Sequence, residues 1–273
     1  AGARWELSSS QCRVEDFRLT PERFPRAGPA PFWLGLPGRG TIRIEEGTFG
    51  DRPFHGLRAS VFRSRGVSRV DSLEVSVAGG RIENATARDL PGPFGARSAR
   101  EGRFIARDLD LATLQAFVRA AGVGLPGEAQ GRLSGRFRLR WGPGGGRDDL
   151  TGDGSVRIAS GSLRGLPAQE ALRRRTGLDA LSELRFDDLQ MEMRRVPGSL
   201  SWTRLRVDAP PLRIEGAGRV SGADWVEAAM TLRVAGDGPA GDLARALQAL
   251  LGEDRSVLYA TFEGAAGEPQ VAL

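Results

Sequence analysis

The sequence predicts a mainly β protein, an antiparallel repeat meander carrying a few short amphipathic helices. Three observations predict it: apolar and polar residues alternate with period two in many short segments, glycines are dispersed between those segments, and one glycine-containing pattern recurs. Period-two alternation places one set of side chains on each face of a strand, and antiparallel sheets with one wet face produce it. The 38 glycines in 273 residues are spread through the chain and not gathered in one tract, which reads as many short strands.

Taken in order, residues 1–40 hold Pro21, Pro25, Pro29, Pro31 and Pro37, so this start is expected to be irregular or an edge. Thr41-Ile42-Arg43-Ile44-Glu45-Glu46-Gly47-Thr48-Phe49 then shares its pattern with Ser155-Val156-Arg157-Ile158-Ala159-Ser160-Gly161-Ser162-Leu163, and Val196-Pro197-Gly198-Ser199-Leu200 echoes its end. The expectation is a strand–turn–strand unit, with glycine supplying the positive φ of a tight hairpin. Leu73 to Val77 alternates. A helix is expected over Leu111–Ala120, after Asp110 as N-cap and before Gly122. The clearest strand follows: Leu133, Phe137, Leu139 and Trp141 fall on one face, and Arg136, Arg138 and Arg140 on the other. A loose break falls at Gly142 to Asp149. Pro167 opens a second helix running through Leu172 toward Leu178 and Leu181. Leu189 to Met193, Leu212 to Ile214 and Met230 to Val234 alternate again. A third helix is expected over Asp242–Leu251, with Leu243, Leu247 and Leu250 on one side. These helices are expected to cap sheet edges or ends. Two sections result: 1–130, β-rich with the proline-rich start, and the tidier 131–273.

All 39 cations are arginine, set against 34 acids, for a net charge of +5. Without lysine there is no Schiff-base chemistry, no lysine base and no P-loop lysine. The arginines alternate along strands and form no single basic block, so nucleic acid is disfavoured as a partner. Cys12 is alone, which rules out an internal disulfide and a cysteine-rich zinc site, and it reads as a buried or incidental thiol. His55 is the sole histidine, in the turn-like context Arg52-Pro53-Phe54-His55-Gly56, so histidine triads and multi-histidine metal sites are excluded. Gly142 to Gly146 lacks the Gly-Lys-Ser/Thr of a phosphate loop. Asp187-Asp188 and Glu45-Glu46 are adjacent acids, and neighbours in a strand point to opposite faces, so adjacency makes no dyad. Asn84-Ala85-Thr86 is a glycosylation sequon only. No enzyme activity, cofactor or metal is expected. No run of about 18 apolar residues is present to cross a bilayer as a helix.

The order of glycine-and-alternation motifs from Gly131 to Leu273 carries a resemblance. It runs through Leu150-Thr151-Gly152-Asp153-Gly154-Ser155-Val156-Arg157-Ile158, Gly161 to Pro167, Gly177-Leu178-Asp179-Ala180-Leu181 and Phe186-Asp187-Asp188-Leu189. Ile214-Glu215-Gly216-Ala217-Gly218-Arg219-Val220, Phe262-Glu263-Gly264 and Glu268-Pro269-Gln270-Val271-Ala272-Leu273 complete it. This half of the chain resembles the C-terminal region of the AsmA family of bacterial envelope proteins, with TamB and YhdP as distant relatives. Residues 41–130 echo it weakly.

The resemblance implies an elongated, curled sheet open along one side, a taco-like β-groove whose concave apolar face shields the acyl chains of phospholipid. It also implies a body in the periplasm of a Gram-negative bacterium, anchored in the inner membrane by a segment upstream of Ala1, and protein partners in the envelope. The residues expected to line the groove are Leu133, Phe137, Leu139, Trp141, Val156, Ile158, Met191, Met193, Leu205, Val207, Leu212, Ile214, Met230, Leu232, Val234 and Phe262. For each of them ordinary core packing is the alternative, because alternation marks burial and not a ligand. The alternative function is an assembly factor for outer-membrane proteins that carries no lipid.

Overall fold

The computed structural model of the chain describes residues 3–13, 38–49, 52–64, 67–90, 99–120, 127–142, 149–177, 179–210, 212–222, 225–234 and 257–273. They form fourteen strands and two helices. The strands are β1 (Ala3–Arg13), β2 (Gly38–Phe49), β3 (Arg52–Ser64), β4 (Val67–Val77), β5 (Gly80–Leu90), β6 (Ala99–Asp110) and β7 (Glu128–Trp141). After them come β8 (Leu150–Arg164), β9 (Glu183–Val196), β10 (Ser199–Ala209), β11 (Leu212–Ser221), β12 (Trp225–Val234), β13 (Val257–Ala265) and β14 (Gln270–Ala272). Helix α1 (Leu111–Ala120) lies between β6 and β7, and α2 (Pro167–Thr176) between β8 and β9.

Strand order in the sheet follows chain order from β1 to β14, the signature of a meander. Neighbours pair antiparallel, with one exception: β1 runs parallel to β2, Ala3 opposite Gly38 and Arg13 opposite Thr48. The mainly β antiparallel class expected from alternation is the class observed.

The chain divides into two compact units. The first comprises Ala1–Leu109 and Arg136–Asp149, and the second Asp110–Gly135 and Leu150–Leu273. In the first, Ile44, Phe54, Ala59, Ala106 and Leu109 are buried, and the ring of Phe137 stacks on Phe104 with centroids 4.8 Å apart. In the second, the core draws on β8 to β13, with Ala171 and Leu172 of α2 and Leu181 of a 3-10 turn (Asp179–Ser182) buried as well.

The helix ends follow local chemistry. Asp110 caps α1 as expected: its Oδ1 accepts from the Thr113 backbone N–H at 2.8 Å and from the Thr113 hydroxyl at 2.6 Å. Pro167 starts α2, and the Gln169 side chain ties the entry down by accepting from Leu166 N–H and donating to Leu163 carbonyl. The helix stops at Thr176, short of Leu178 and Leu181, because Gly177 takes φ 70° and donates to the Arg173 carbonyl. The expected helix over Asp242–Leu251 lies outside the described residues.

Two sequence expectations are corrected. The recurring glycine pattern is not a hairpin: Gly47 lies inside β2 and Gly161 inside β8, each strand running straight through. Gly161 is required by close approach, since a Cβ there would stand 2.3 Å from the Gln130 carbonyl oxygen and 2.5 Å from the Phe186 ring. Only the third instance turns, Gly198 adopting φ 72° between Val196 and Ser199 of the β9–β10 hairpin. His55 is exposed, but it sits on β3 opposite Glu46 of β2 and Ser76 of β4, not in the turn its context suggested.

Candidate functional site

The second unit presents an apolar sheet face whose composition follows from register. Across β8 to β13 the partners align Ile158, Leu189, Val207, Ile214, Leu232 and Leu258 in one row. Every member of that row is buried. One step along the strands the row reads Val156, Met191, Leu205, Gly216, Met230 and Ala260, and its four middle members are only half-buried. The next reads Gly154, Met193, Trp202, Gly218, Ala228 and Phe262, with the first four half-buried. Burial on this face is therefore graded. One end is a closed core and the other a partly open apolar band.

The open band has a consistent chemistry. It holds all three methionines of the chain, Met191, Met193 and Met230, with Trp202 and Leu205. Gly216 and Gly218 of β11 form its floor. A Cβ on Gly218 would stand 2.3 Å from Cζ2 of Trp202, and one on Gly216 would stand 3.1 Å from Cγ of Met230. Trp202 and Met230 thus occupy the space that a side chain at these two glycines would need. Methionine, unbranched and polarizable, adapts to irregular apolar partners better than branched residues do.

The sixteen residues expected to line a groove fall into distinct places. Leu133, Val156, Ile158, Val207, Leu212, Ile214, Leu232 and Phe262 are buried in the second unit, Leu212 at 1 % exposure. Met191, Met193, Leu205 and Met230 belong to the half-buried band. Val234 ends β12 opposite Leu212, and its side chain lies outside the described residues. Phe137, Leu139 and Trp141 are half-buried in the first unit, where the indole of Trp141 lies over Gly102. The arginines opposite them on β7, Arg136, Arg138 and Arg140, are exposed, as alternation requires.

Trp202 was not among the expected lining residues, because its even number puts it out of phase with Leu205 and Val207. A bulge reconciles them: β10 uses one residue more than β9 between Trp202 and Val207, and Arg204 takes φ 51° there. The tight turn at Gly198 carried a usable signal. Counting back from Val196 opposite Ser199 places Met193 opposite Trp202.

The first unit holds a different constellation. Glu101 is the one buried charged residue in the described core, at 7 % exposure. Arg88 donates to its Oε2 from Nε at 3.3 Å and Nη2 at 2.7 Å. Arg103 donates to Oε1 from Nε at 3.2 Å and Nη2 at 3.0 Å, and Arg138 adds an Nε bond of 2.9 Å to the same oxygen. The hydrogen bonds from Arg88 and Arg103, reinforced by the charges of Arg88 and Arg138, hold the carboxyl at a pKa of about 2 against the opposing effect of burial. Alternating arginine signalled the exposed face of this sheet, but nothing in the sequence spacing joins residues 88, 101, 103 and 138.

Among the described residues there is no group of three or more histidine, cysteine or acidic side chains placed to hold a metal. Asp187 and Asp188 separate as strand neighbours do, and Asp188 accepts from Arg157 Nε at 2.5 Å. The Cys12 side chain lies outside the described residues. No described helix is long and apolar enough to cross a membrane. Comparison with protein-family models, curated proteins and solved structures finds no match.

Proposed function

We propose that the chain is a non-enzymatic envelope-biogenesis protein of AsmA-like type that shields phospholipid acyl chains along the apolar band of its second unit. In this reading it works in the periplasm of a Gram-negative bacterium from an inner-membrane anchor. The observation that carries the proposal is the gradient of burial across the β8–β13 face. A purely structural face would be closed along its length. Here the Ile158–Leu258 row supplies the packing, while Met191, Met193, Trp202, Leu205 and Met230 stay half-buried on a glycine floor. An acyl chain laid on such a band gains about 0.8 kcal/mol for each methylene removed from water. The ordered run of motifs from Leu150 to Leu273 supports placing this band in an AsmA-like protein.

The test is lipid extraction and mass spectrometry of the purified protein, with two paired substitutions. Met230→Arg on the open band should remove co-purifying phospholipid while the far-ultraviolet circular dichroism and melting temperature stay close to the parent. Ile214→Arg, in the closed row, should instead unfold the protein, because it buries an unpaired charge. Parent protein that is folded and free of lipid would sink the proposal and favour an assembly factor that carries none. So would lipid retained unchanged by Met230→Arg.

A further inference from the structure

The face of the first unit opposite its apolar side gathers more positive charge than it neutralises. Register sets Arg69 of β4 opposite Arg88 of β5, and Arg88 opposite Glu101 of β6. Arg138 of β7 joins through its bond to Glu101. Two residues along their strands, Asp71 pairs with Arg69 and Arg103 pairs with Glu101. Four guanidiniums therefore meet two carboxylates. Arg69, Arg88 and Arg103, with Thr86, Asp71 and Glu101 among their neighbours, line a pocket of about 200 Å³.

The donors are only partly used. Arg88 and Arg103 spend Nε and Nη2 on Glu101, Arg138 spends Nε on it, and Arg69 spends Nε and Nη2 on Asp71. That leaves Nη1 of Arg69, Arg88 and Arg103, and both terminal nitrogens of Arg138, without a hydrogen-bond partner among the described residues, the Arg69 guanidinium lying over the Phe62 ring. Glu101 fixes these forks in place from below while its own charge offsets one of the three that contact it. A cluster of like charges, held by a buried carboxylate and left in excess, is stabilised by an added anion with several acceptor oxygens. The guanidinium fork matches the oxygens of a phosphate in geometry as well as charge.

We infer that this pocket binds a phosphate group, as a monoester or a diester, with Arg88 and Arg103 as principal donors and Arg69 and Arg138 completing the positive field. The site is independent of the apolar band in the second unit and stands or falls without it. A soluble phosphate ester and a phospholipid headgroup offer the same chemistry, and the test separates them.

In the unaltered protein, the arginine Nε–H resonances are followed by NMR during titration with inorganic phosphate at constant ionic strength, against chloride. Those of Arg88 and Arg103 should shift, and that of Arg206, an exposed arginine paired with Asp208 in the second unit, should not. Arg88→Gln should weaken the phosphate response about tenfold, the loss of one charge-assisted fork, whereas Arg206→Gln, which removes the same charge elsewhere, should leave it unchanged. In a second arm, cosedimentation with phosphatidylglycerol vesicles that Arg88→Gln reduces assigns the headgroup as the source. Phosphate-dependent shifts without cosedimentation assign a soluble ester. Shifts at Arg88 and Arg103 no larger than at Arg206, together with no Arg88-dependent vesicle binding, overturn the site. The titration needs no variant, so a misfolded Arg88→Gln does not remove it.

Discussion

Glu101 is the residue whose chemistry departs furthest from its exposed neighbours. Its carboxylate sits under three arginine forks, each of which keeps more than half of its own side chain in water. The exposure of the partners screens the pairs and limits what each contributes. The buried acceptor raises the stakes, because removing it leaves three cations facing one another. Glu101→Gln is therefore expected to lower unfolding stability at neutral pH by about 2 kcal/mol, the scale of hydrogen bonds to a charged group. The sign of the pH dependence follows from the depressed folded pKa of about 2 against an ordinary value of 4.5. The stabilisation is fully present above about 4.5 and is lost as pH falls toward 2, since the unfolded chain takes up the proton first. Urea unfolding of both proteins at pH 7, 4, 3 and 2 checks this. The gap should hold at the first value and close by the last. A gap unchanged at pH 2 would mean that the introduced amide disturbs packing, and the charge account would fail.

At the scale of the element, bare backbone at chosen places lets β10 and β11 build the open band. Gly218 leaves room for the Trp202 ring, and the added carbon of Gly218→Ala would also stand 2.7 Å from Cβ of Ala228 and 2.8 Å from the Glu227 carbonyl oxygen. Two of those neighbours belong to the paired strand and cannot swing away. The substitution is expected to cost about 2 kcal/mol, in the range for overpacking a filled site, and to expose Trp202 as a red shift in its fluorescence. Gly267→Ala, where a Cβ would meet nothing within 4 Å, is the matched control and should melt with the parent. Equal melting temperatures for the two variants would contradict the close-approach account. These same elements show what was readable beforehand. Strand identity was readable wherever alternation ran unbroken, as in β7 and β12, because period two has no helical counterpart. The α1 start was readable from Asp110. Strand continuity through Gly47 and Gly161 was not, since a glycine needed for a neighbour's ring and one needed for a turn are the same letter. Nor was the face of Trp202, because the bulge at Arg204 inverts the parity from which faces are counted.

At the scale of the whole molecule, the sequence could name an apolar face but could not say which part of it is closed. That distinction lives in cross-strand register, which joins residues such as Ile158 and Leu258 that are a hundred positions apart. Unbroken alternation reads the same over packed and open rows. The thermodynamics of lipid binding would make the difference visible. A ligand that binds only the folded chain raises its stability by about 2.7 kcal/mol at a concentration one hundred times the dissociation constant. In a chain of this size that moves the melting temperature by roughly 5–10 °C. The half-buried members of each row cover four strands about 4.8 Å apart, so the open stretch of a row crosses roughly 14 Å of sheet. Within that span each further methylene of a bound chain contributes about 0.8 kcal/mol, and beyond it the added carbons stay in water. A homologous series of lysophospholipids with one headgroup is therefore expected to raise the melting temperature stepwise with chain length and then level off. Met230→Arg should flatten the series. A melting temperature indifferent to chain length would show that the half-buried band is only the loosely packed end of a core.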